Sequence, residues 1–110
     1  MKNFIQAGDH ITVPAAADIA SGSPAMIGNL FGVAEHSALA GEDVTLARLG
    51  VFILPKATGQ AWAAGVRLYW DATNGVVTTT ASGNQMIGAV AVAAIAGAVV
   101  GAVLLDGAIR

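Results

Sequence analysis

Short apolar runs separated by turn-forming residues recur along the chain and predict β-strands. Ile11–Val13 alternates in polarity and stops at Pro14, which cannot donate a hydrogen bond to a ladder. Val66–Trp70 is rich in the branched and aromatic residues that favour strands. Turn signals recur roughly every 8 to 12 residues, which is typical of a β-sandwich or barrel. Further strands are predicted at Met26–Glu35, Val44–Leu49, Gly50–Leu54 and Val76–Thr80.

Two dipeptides predict tight turns inside these runs. Gly28-Asn29 interrupts Met26–Glu35, which is therefore either a hairpin or one bulged strand. Asn74-Gly75 is the strongest hairpin signal in the chain, because such a pair readily takes the positive φ angles of a tight turn.

The segment Met86–Leu105 contains no charged residue and is long enough to cross a bilayer as a helix. Alanine and glycine dominate it, however, and both drive membrane insertion poorly. We therefore predict two buried strands, Gln85–Ala94 and Val99–Leu105, joined by a small-residue turn at Ile95–Ala98. A membrane-inserting oligomer is the alternative.

Helical signals are short. Pro14–Ala20 has proline at its first position and permits about one turn of helix, and Gly59–Gly65 encloses at most one more. No internal repeat with a period of about 20–50 residues is visible. We predict an all-β fold with at most one or two short helical turns, in a compact small sandwich or barrel-like domain covering residues 1–110.

Charge is scarce in this sequence. Only 11% of the 110 residues are charged, 55% are hydrophobic, and the formal net charge is −2. An average soluble protein has about 25% charged residues. Five basic residues against seven acidic ones leave no basic surface for phosphates, so nucleic-acid binding is disfavoured. We expect partners to cover much of the surface.

Residue patterns for catalysis, cofactors or metals are absent from the sequence. A phosphate-binding loop needs Gly-Lys-Ser/Thr, yet Lys2 follows Met1 and Lys56 follows Pro55. There is no cysteine for thiolate catalysis, disulfides or zinc. We predict no catalytic, cofactor or metal residues.

His10 and His36 are the only histidines, and neither has a partner at metal-ligand spacing. Each follows a carboxylate, Asp9 or Glu35, but neighbours in a strand point to opposite faces. Either histidine would need a serine, Ser23 or Ser37, to form a nucleophilic set. We interpret both as exposed polar residues at strand ends or in loops.

Trp62 and Trp70 are two of only six aromatic residues. Side chains of this size are buried either in the core or at a subunit interface, where tryptophan is a favoured anchor. Both alternatives stay open from the sequence.

The order of several short motifs carries a resemblance across nearly the whole chain. An F-x-x-x-G-x-x-x-x-V pattern opens it from Phe4 to Val13. The later motifs are Gly32-Val33-Ala34, Gly41-Glu42-x-Val44, Gly50-Val51-Phe52-x-Leu54-Pro55-Lys56, Gly65-x-x-Leu68-Tyr69-Trp70-Asp71, Ile87-Gly88 and Leu105-Asp106-Gly107. This order resembles the phage and prophage capsid cement, or head decoration, proteins, some of which carry a label suggesting a RecA/RadA-type recombinase.

The resemblance implies a structural protein that is not an enzyme and needs no cofactor. It implies a homotrimer on the outer face of the virion capsid, holding major capsid protein subunits together, after assembly in the host cytoplasm. Neither nucleic acid nor membrane would be a partner. The recombinase label has no support, since an ATP-driven reaction needs a phosphate-binding loop. The family's last hairpin is usually polar, whereas Ala93–Ala102 here is apolar, which implies drier or more deeply buried contacts.

The N-terminal segment is a candidate arm for strand addition to a capsid subunit, because added strands bind through main-chain hydrogen bonds. Its residues are Lys2, Asn3, Phe4, Ile5 and Gln6, within the segment Met1–Gln6. Two other functions remain open. The chain would be another β-rich phage part, in a tail or baseplate, or a small hydrolase using His36 or His10.

Overall fold

The computed structural model describes residue 3 and residues 8–109. Residues 8–109 contain nine strands and no helix, so the all-β prediction is confirmed. The strands are β1 His10–Pro14, β2 Pro24–Ile27, β3 Leu30–Ala34, β4 Asp43–Ala47, β5 Leu49–Pro55, β6 Arg67–Asp71, β7 Val76–Thr78, β8 Gln85–Val90 and β9 Val100–Asp106.

The chain divides into two compact units, residues 1–49 and residues 50–110. They are called unit 1 and unit 2 below, and the expected single domain over residues 1–110 stays a prediction. Unit 1 holds a four-stranded sheet in the order β1-β4-β3-β2, with antiparallel pairs throughout. Its inward side chains form a small aliphatic core, made of Ala15, Ala34, Ala38, Val44 and Leu46.

Unit 2 holds a five-stranded sheet in the order β5-β9-β8-β6-β7. The register between β6 and β8 shifts between Leu68 and Tyr69, so the ladder contains a bulge there. The inward side chains of β9 alternate with exposed ones, as a half-buried strand requires. The largest buried side chains are Trp62, Leu54, Leu68, Leu105, Val77 and Val103.

Neither segment that permits a short helical turn is helical. The segments after β1 and after β5 are irregular connections with bends and turns, and each forms an isolated antiparallel bridge to another connection. Ile19 bridges Ala38, and Trp62 bridges Ala94. These hydrogen bonds between distant segments of the chain satisfy the backbone groups that a helical turn would have satisfied locally.

The uncharged segment forms β8 and β9, as the two-strand interpretation predicted. β8 ends earlier and β9 begins later than expected, because the connection between them is held by the bridge of Ala94 to Trp62. Among the described residues, no helix has the length and apolarity to span a bilayer.

The two predicted turns are confirmed, with one difference. β2 and β3 form a hairpin around Gly28, whose φ is 61°. At Asn74-Gly75 only the glycine takes a positive φ, of 66°. Asp71 holds this turn, since its carboxylate accepts from the backbone N–H groups of Thr73 at 3.0 Å and Asn74 at 3.1 Å.

The two units share one topology. The order β1-β4-β3-β2 of unit 1 corresponds to β5-β9-β8-β6 of unit 2, with β7 as an added edge strand. In each unit the connection after the first strand bridges the connection before the last strand. The two units therefore form an internal structural repeat, although no repeat with a period of about 20–50 residues is visible in the sequence.

Backbone hydrogen bonds repeat position by position and fix the correspondence between the units. Gly22 N–H donates to the carbonyl of Ala34, as Gly65 N–H does to that of Val90. Ala15 N–H donates to the backbone carbonyl of Glu42, as the backbone N–H of Lys56 does to that of Val99. The strand registers agree, since Ala34 pairs with Leu46 and Val90 with Val103.

The repeat is visible in sequence once the structure aligns it. Residues 30–41 match residues 86–97 without a gap, and the identical pairs are Gly32 with Gly88, Ala38 with Ala94, Ala40 with Ala96, and Gly41 with Gly97. Gly32 and Gly88 have the same structural role, because Gly32 packs tightly against β4 and Gly88 packs tightly against β9. An added Cβ would lie 2.8 Å from the Cβ of Leu46 at Gly32, and 1.9 Å from the carbonyl oxygen of Leu104 at Gly88.

Candidate interaction surfaces

The outward side of β1 and β4 is polar. Thr12 and Thr45 are register partners, and their hydroxyl oxygens lie 2.9 Å apart. His10 and Asp43 are exposed at the two ends of the same side. We call the set His10, Thr12, Asp43 and Thr45 the polar face of unit 1.

His10 pairs with Glu35 across this sheet. Its Nδ1 contacts Glu35 Oε2, and both side chains are exposed. This hydrogen bond, followed by the negative charge of Glu35, raises the pKa of His10. The sequence contained no signal for the pair, because 25 residues separate its members and they meet only when β4 pairs with both β1 and β3.

His36 is tied to the backbone. Its Nε2 accepts from the N–H of Thr45 at 3.3 Å, and its Nδ1 lies 3.2 Å from the carbonyl oxygen of Ser37. These contacts hold the loop after β3 against β4. Within the described residues, no three side chains of metal-binding type cluster.

The outward side of β5 and β9 is apolar up to Leu104 and ends at the exposed Asp106. Val51 and Ile53 on β5 are exposed to 56% and 66%, and Val100 and Leu104 on β9 to 49% and 44%. Ala102 lies between the last two and is half-buried. These five side chains form what we call the apolar face of unit 2, and they occupy the positions that the polar face and its neighbours occupy in unit 1.

Trp62 is buried inside unit 2, with 2% of its surface exposed. Its ring lies over Gly101, where an added Cβ would be 2.4 Å from a ring carbon. The indole Nε1 has no hydrogen-bond partner among the described residues. This burial favours the core alternative for Trp62 over the interface alternative. Trp70 is half-buried at the pairing of β6 with β7, and its interface role stays a prediction.

Lys56 is also buried, with 2% exposed. Its ammonium donates to the carbonyl oxygens of Ala57 at 3.0 Å and of Gln60, and it lies 3.4 and 3.5 Å from those of Ala96 and Ala98. The same Nζ lies 5.4 Å from the centroid of the Trp62 ring, within cation–π range. Lys56 therefore joins the connection after β5 to the connection between β8 and β9. The sequence did not indicate this role.

Each unit also has an open groove. The one in unit 1, of about 470 Å³, is lined by Ile19, Leu39, Asp18 and Glu42. Both carboxylates already accept backbone N–H groups, Asp18 from Ala40 at 2.9 Å and Glu42 from Leu39 at 2.7 Å. These acids thus hold the connections of unit 1 in place.

The groove in unit 2, of about 770 Å³, is polar. Its Gln60 donates from Nε2 to the Thr78 hydroxyl at 2.9 Å and accepts the Thr79 N–H at 3.0 Å. Gln60, Thr78 and Thr79 thus satisfy one another's polar groups at this groove.

The predicted N-terminal arm lies almost entirely outside the described residues. Of its five residues, only Asn3 is described, and it is exposed. The role of Lys2, Phe4, Ile5 and Gln6 is not addressed by the structure and stays a prediction.

A family model for phage cement proteins matches residues 5–105 of the chain. The chain belongs to this family. Searches among curated proteins and among solved structures gave no match. The match spans both units, so the internal repeat is contained in the cement protein unit that the family defines.

Membership supports a structural role on the phage capsid, with capsid proteins as the partners. It places the cement protein with structural proteins of the virion capsid and indicates a non-enzymatic role. The surfaces described above are consequently candidates for protein contacts.

Proposed function

We propose that this cement protein binds the outside of the phage head as a homotrimer and stabilises contacts between major capsid subunits. The observation that carries the proposal is the family match over residues 5–105. A threefold oligomer offers three copies of one contact, so weak contacts to a shell add through effective concentration. The two outward faces, one polar and one apolar, give the chain chemically distinct surfaces for these contacts.

Capsid binding is tested by co-sedimentation of the purified protein with expanded and unexpanded heads. We expect saturable binding to expanded heads, at a stoichiometry that matches the threefold positions. Equal, non-saturating association with both kinds of head, or no association with either, would contradict the proposal.

The segment Met1–Gln6 is proposed to contact the capsid by strand addition. Its deletion is expected to abolish binding to expanded heads and to leave the mass of the soluble oligomer unchanged. Full occupancy of heads by the truncated protein would exclude this role. A tail or baseplate function is the second candidate, and immunogold labelling of intact virions distinguishes it from head decoration.

A further inference from the structure

The apolar face of unit 2 is not required by the fold. Unit 1 has the same strand order, the same register between its last two strands and the same bridging connections, yet it carries polar side chains at most of the corresponding positions. The matching hydrogen bonds align Val51 with His10, Ile53 with Thr12, Val100 with Asp43, Ala102 with Thr45, and Leu104 with Ala47. Burial on the inward side therefore suffices for this topology, and the exposed aliphatic groups of unit 2 need another explanation.

The exposed apolar surface extends beyond the sheet. Val92, Ile95 and Val99 lie in the connection that leads into β9 and are exposed to 63%, 77% and 67%. Together with the four exposed side chains of the apolar face, they present on the order of 800 Å², about the area that one partner buries in a standard interface. Single exposed apolar side chains need no explanation, but seven of them within two neighbouring strands and the connection joined to one of these strands indicate an interaction surface.

We propose that the apolar face of unit 2 is the surface at which copies of this chain meet. An interface without charged groups is typical of permanent homo-oligomers, whereas contacts between separately assembled partners are about as polar as the remaining protein surface. The five residues of the face are uncharged, and Asp106 at the end of β9 is the charged neighbour on the same side. With the three exposed residues of the connection, the face approaches the area that one partner buries in a stable interface. The inference rests on the proposed self-association and deepens it by naming the surface.

The repeat provides the test variant. The exchange V51H, I53T, V100D and L104A gives unit 2 the residues that unit 1 carries at the same positions, so the topology is known to accept them. The control variant T12A and T45A changes the polar face instead. Masses are measured by size-exclusion chromatography with light scattering and by sedimentation equilibrium, with circular dichroism as the folding check.

The wild type and the control are expected as oligomers, at three times 10.9 kDa for the proposed trimer, and the exchange variant at 10.9 kDa. A folded exchange variant that keeps the wild-type mass would overturn the inference, and so would a monomeric wild type. If the exchange variant does not fold, I53T alone is measured. Its dissociation constant is expected to rise at least tenfold, and an unchanged constant would contradict the inference.

Co-sedimentation with expanded heads separates this inference from the proposed function. Loss of head binding by an exchange variant that remains oligomeric would assign the face to the capsid and overturn the inference, while cement function would stand. Wild-type protein that forms oligomers through this face but binds no head would refute the cement function and leave the inference intact.

Discussion

Unit 1 places Ile19 opposite Ala38 at the point where unit 2 places Trp62 opposite Ala94. The last strand compensates for the difference in size, because Val44 of unit 1 corresponds to Gly101 of unit 2. Val44 is fully buried in a core against which Ile19 packs, and Gly101 lies directly under the Trp62 ring. The same topology thus accepts either two side chains of medium size or one large side chain facing a glycine. The two units therefore share their backbone pairing, while each packs its core with different side chains.

The largest expected effect concerns the glycine that both units share. Gly88→Ala is expected to destabilise the protein by about 3 kcal/mol or more, because the added methyl group meets a backbone carbonyl that cannot move away alone. Gly32→Ala is expected to cost about 2 kcal/mol, since its closest contacts, the Cβ of Leu46 at 2.8 Å and the carbonyl oxygen of Ala47 at 2.9 Å, are less severe than the contact at Gly88. Urea denaturation gives both values.

Gly97→Ala is the matched control, since an added Cβ there has no described atom within 4 Å and the residue lacks a positive φ. Its effect is expected to stay under about 1 kcal/mol. Equal losses at the three glycines would show that the close approach between strands is not what selects glycine.

The exchange of core residues sharpens the comparison further. Gly101→Val alone is expected to cost about 3 kcal/mol by overpacking against Trp62, and Trp62→Ile alone about 3 kcal/mol by leaving a cavity. The double variant copies unit 1, so its loss is expected to be at least about 1 kcal/mol smaller than the sum of the single losses. Additive losses in a double-mutant cycle would mean that the two positions do not compensate.

Lys56 distinguishes the units in a second way, because unit 1 has Ala15 at the corresponding position. Lys56→Met is expected to destabilise the protein by about 2 kcal/mol, since it leaves buried carbonyl groups without their charged donor. Arg67→Met in the same unit is the control, with an expected effect within about 0.5 kcal/mol because the side chain is exposed. A Lys56→Met variant as stable as the wild type would show that water replaces the ammonium.

The smallest effect is the pH dependence of unit 1. Glu35 raises the pKa of His10 in the folded protein. The pair therefore adds stability that is fully present below the pKa of an unfolded histidine, about 6.5, and is lost as the pH rises through the folded-state value. We expect the wild type to have a higher urea midpoint than His10→Gln. This difference in midpoint is expected to be larger at about pH 6 than at about pH 9.

In the opposite direction, Asn74 lowers the pKa of Asp71, first through its side chain and then through its backbone N–H. The stability from this turn is present above the unfolded value and is lost as the pH falls through the folded one. The His10→Gln variant should still lose stability at acid pH, through Asp71. It should lack only the change in stability near neutral pH that comes from His10. If both changed together, the two sites would be coupled.

The strands were predictable from sequence, since alternation and turn residues such as Gly28 and Gly75 act locally. The repeat was not, because its shared positions are mostly alanine and glycine in an alanine-rich chain, and β7 shifts the spacing between the units. The His10–Glu35 pair and the burial of Lys56 depend on which strands become neighbours. Trp62 could not be assigned to core or interface, since residue type alone does not distinguish them.

The exchange of Ile19 and Val44 for Trp62 and Gly101 has a consequence for folding fidelity. Because the two units share a strand order, pairing of β3 with β9 instead of β4 is the mispairing that this topology would permit. In such a mispaired intermediate, Val44 would meet the Trp62 ring, or Gly101 would leave a hole beside Ile19. The mismatch in shape penalises the wrong partner and helps each strand to select its own half.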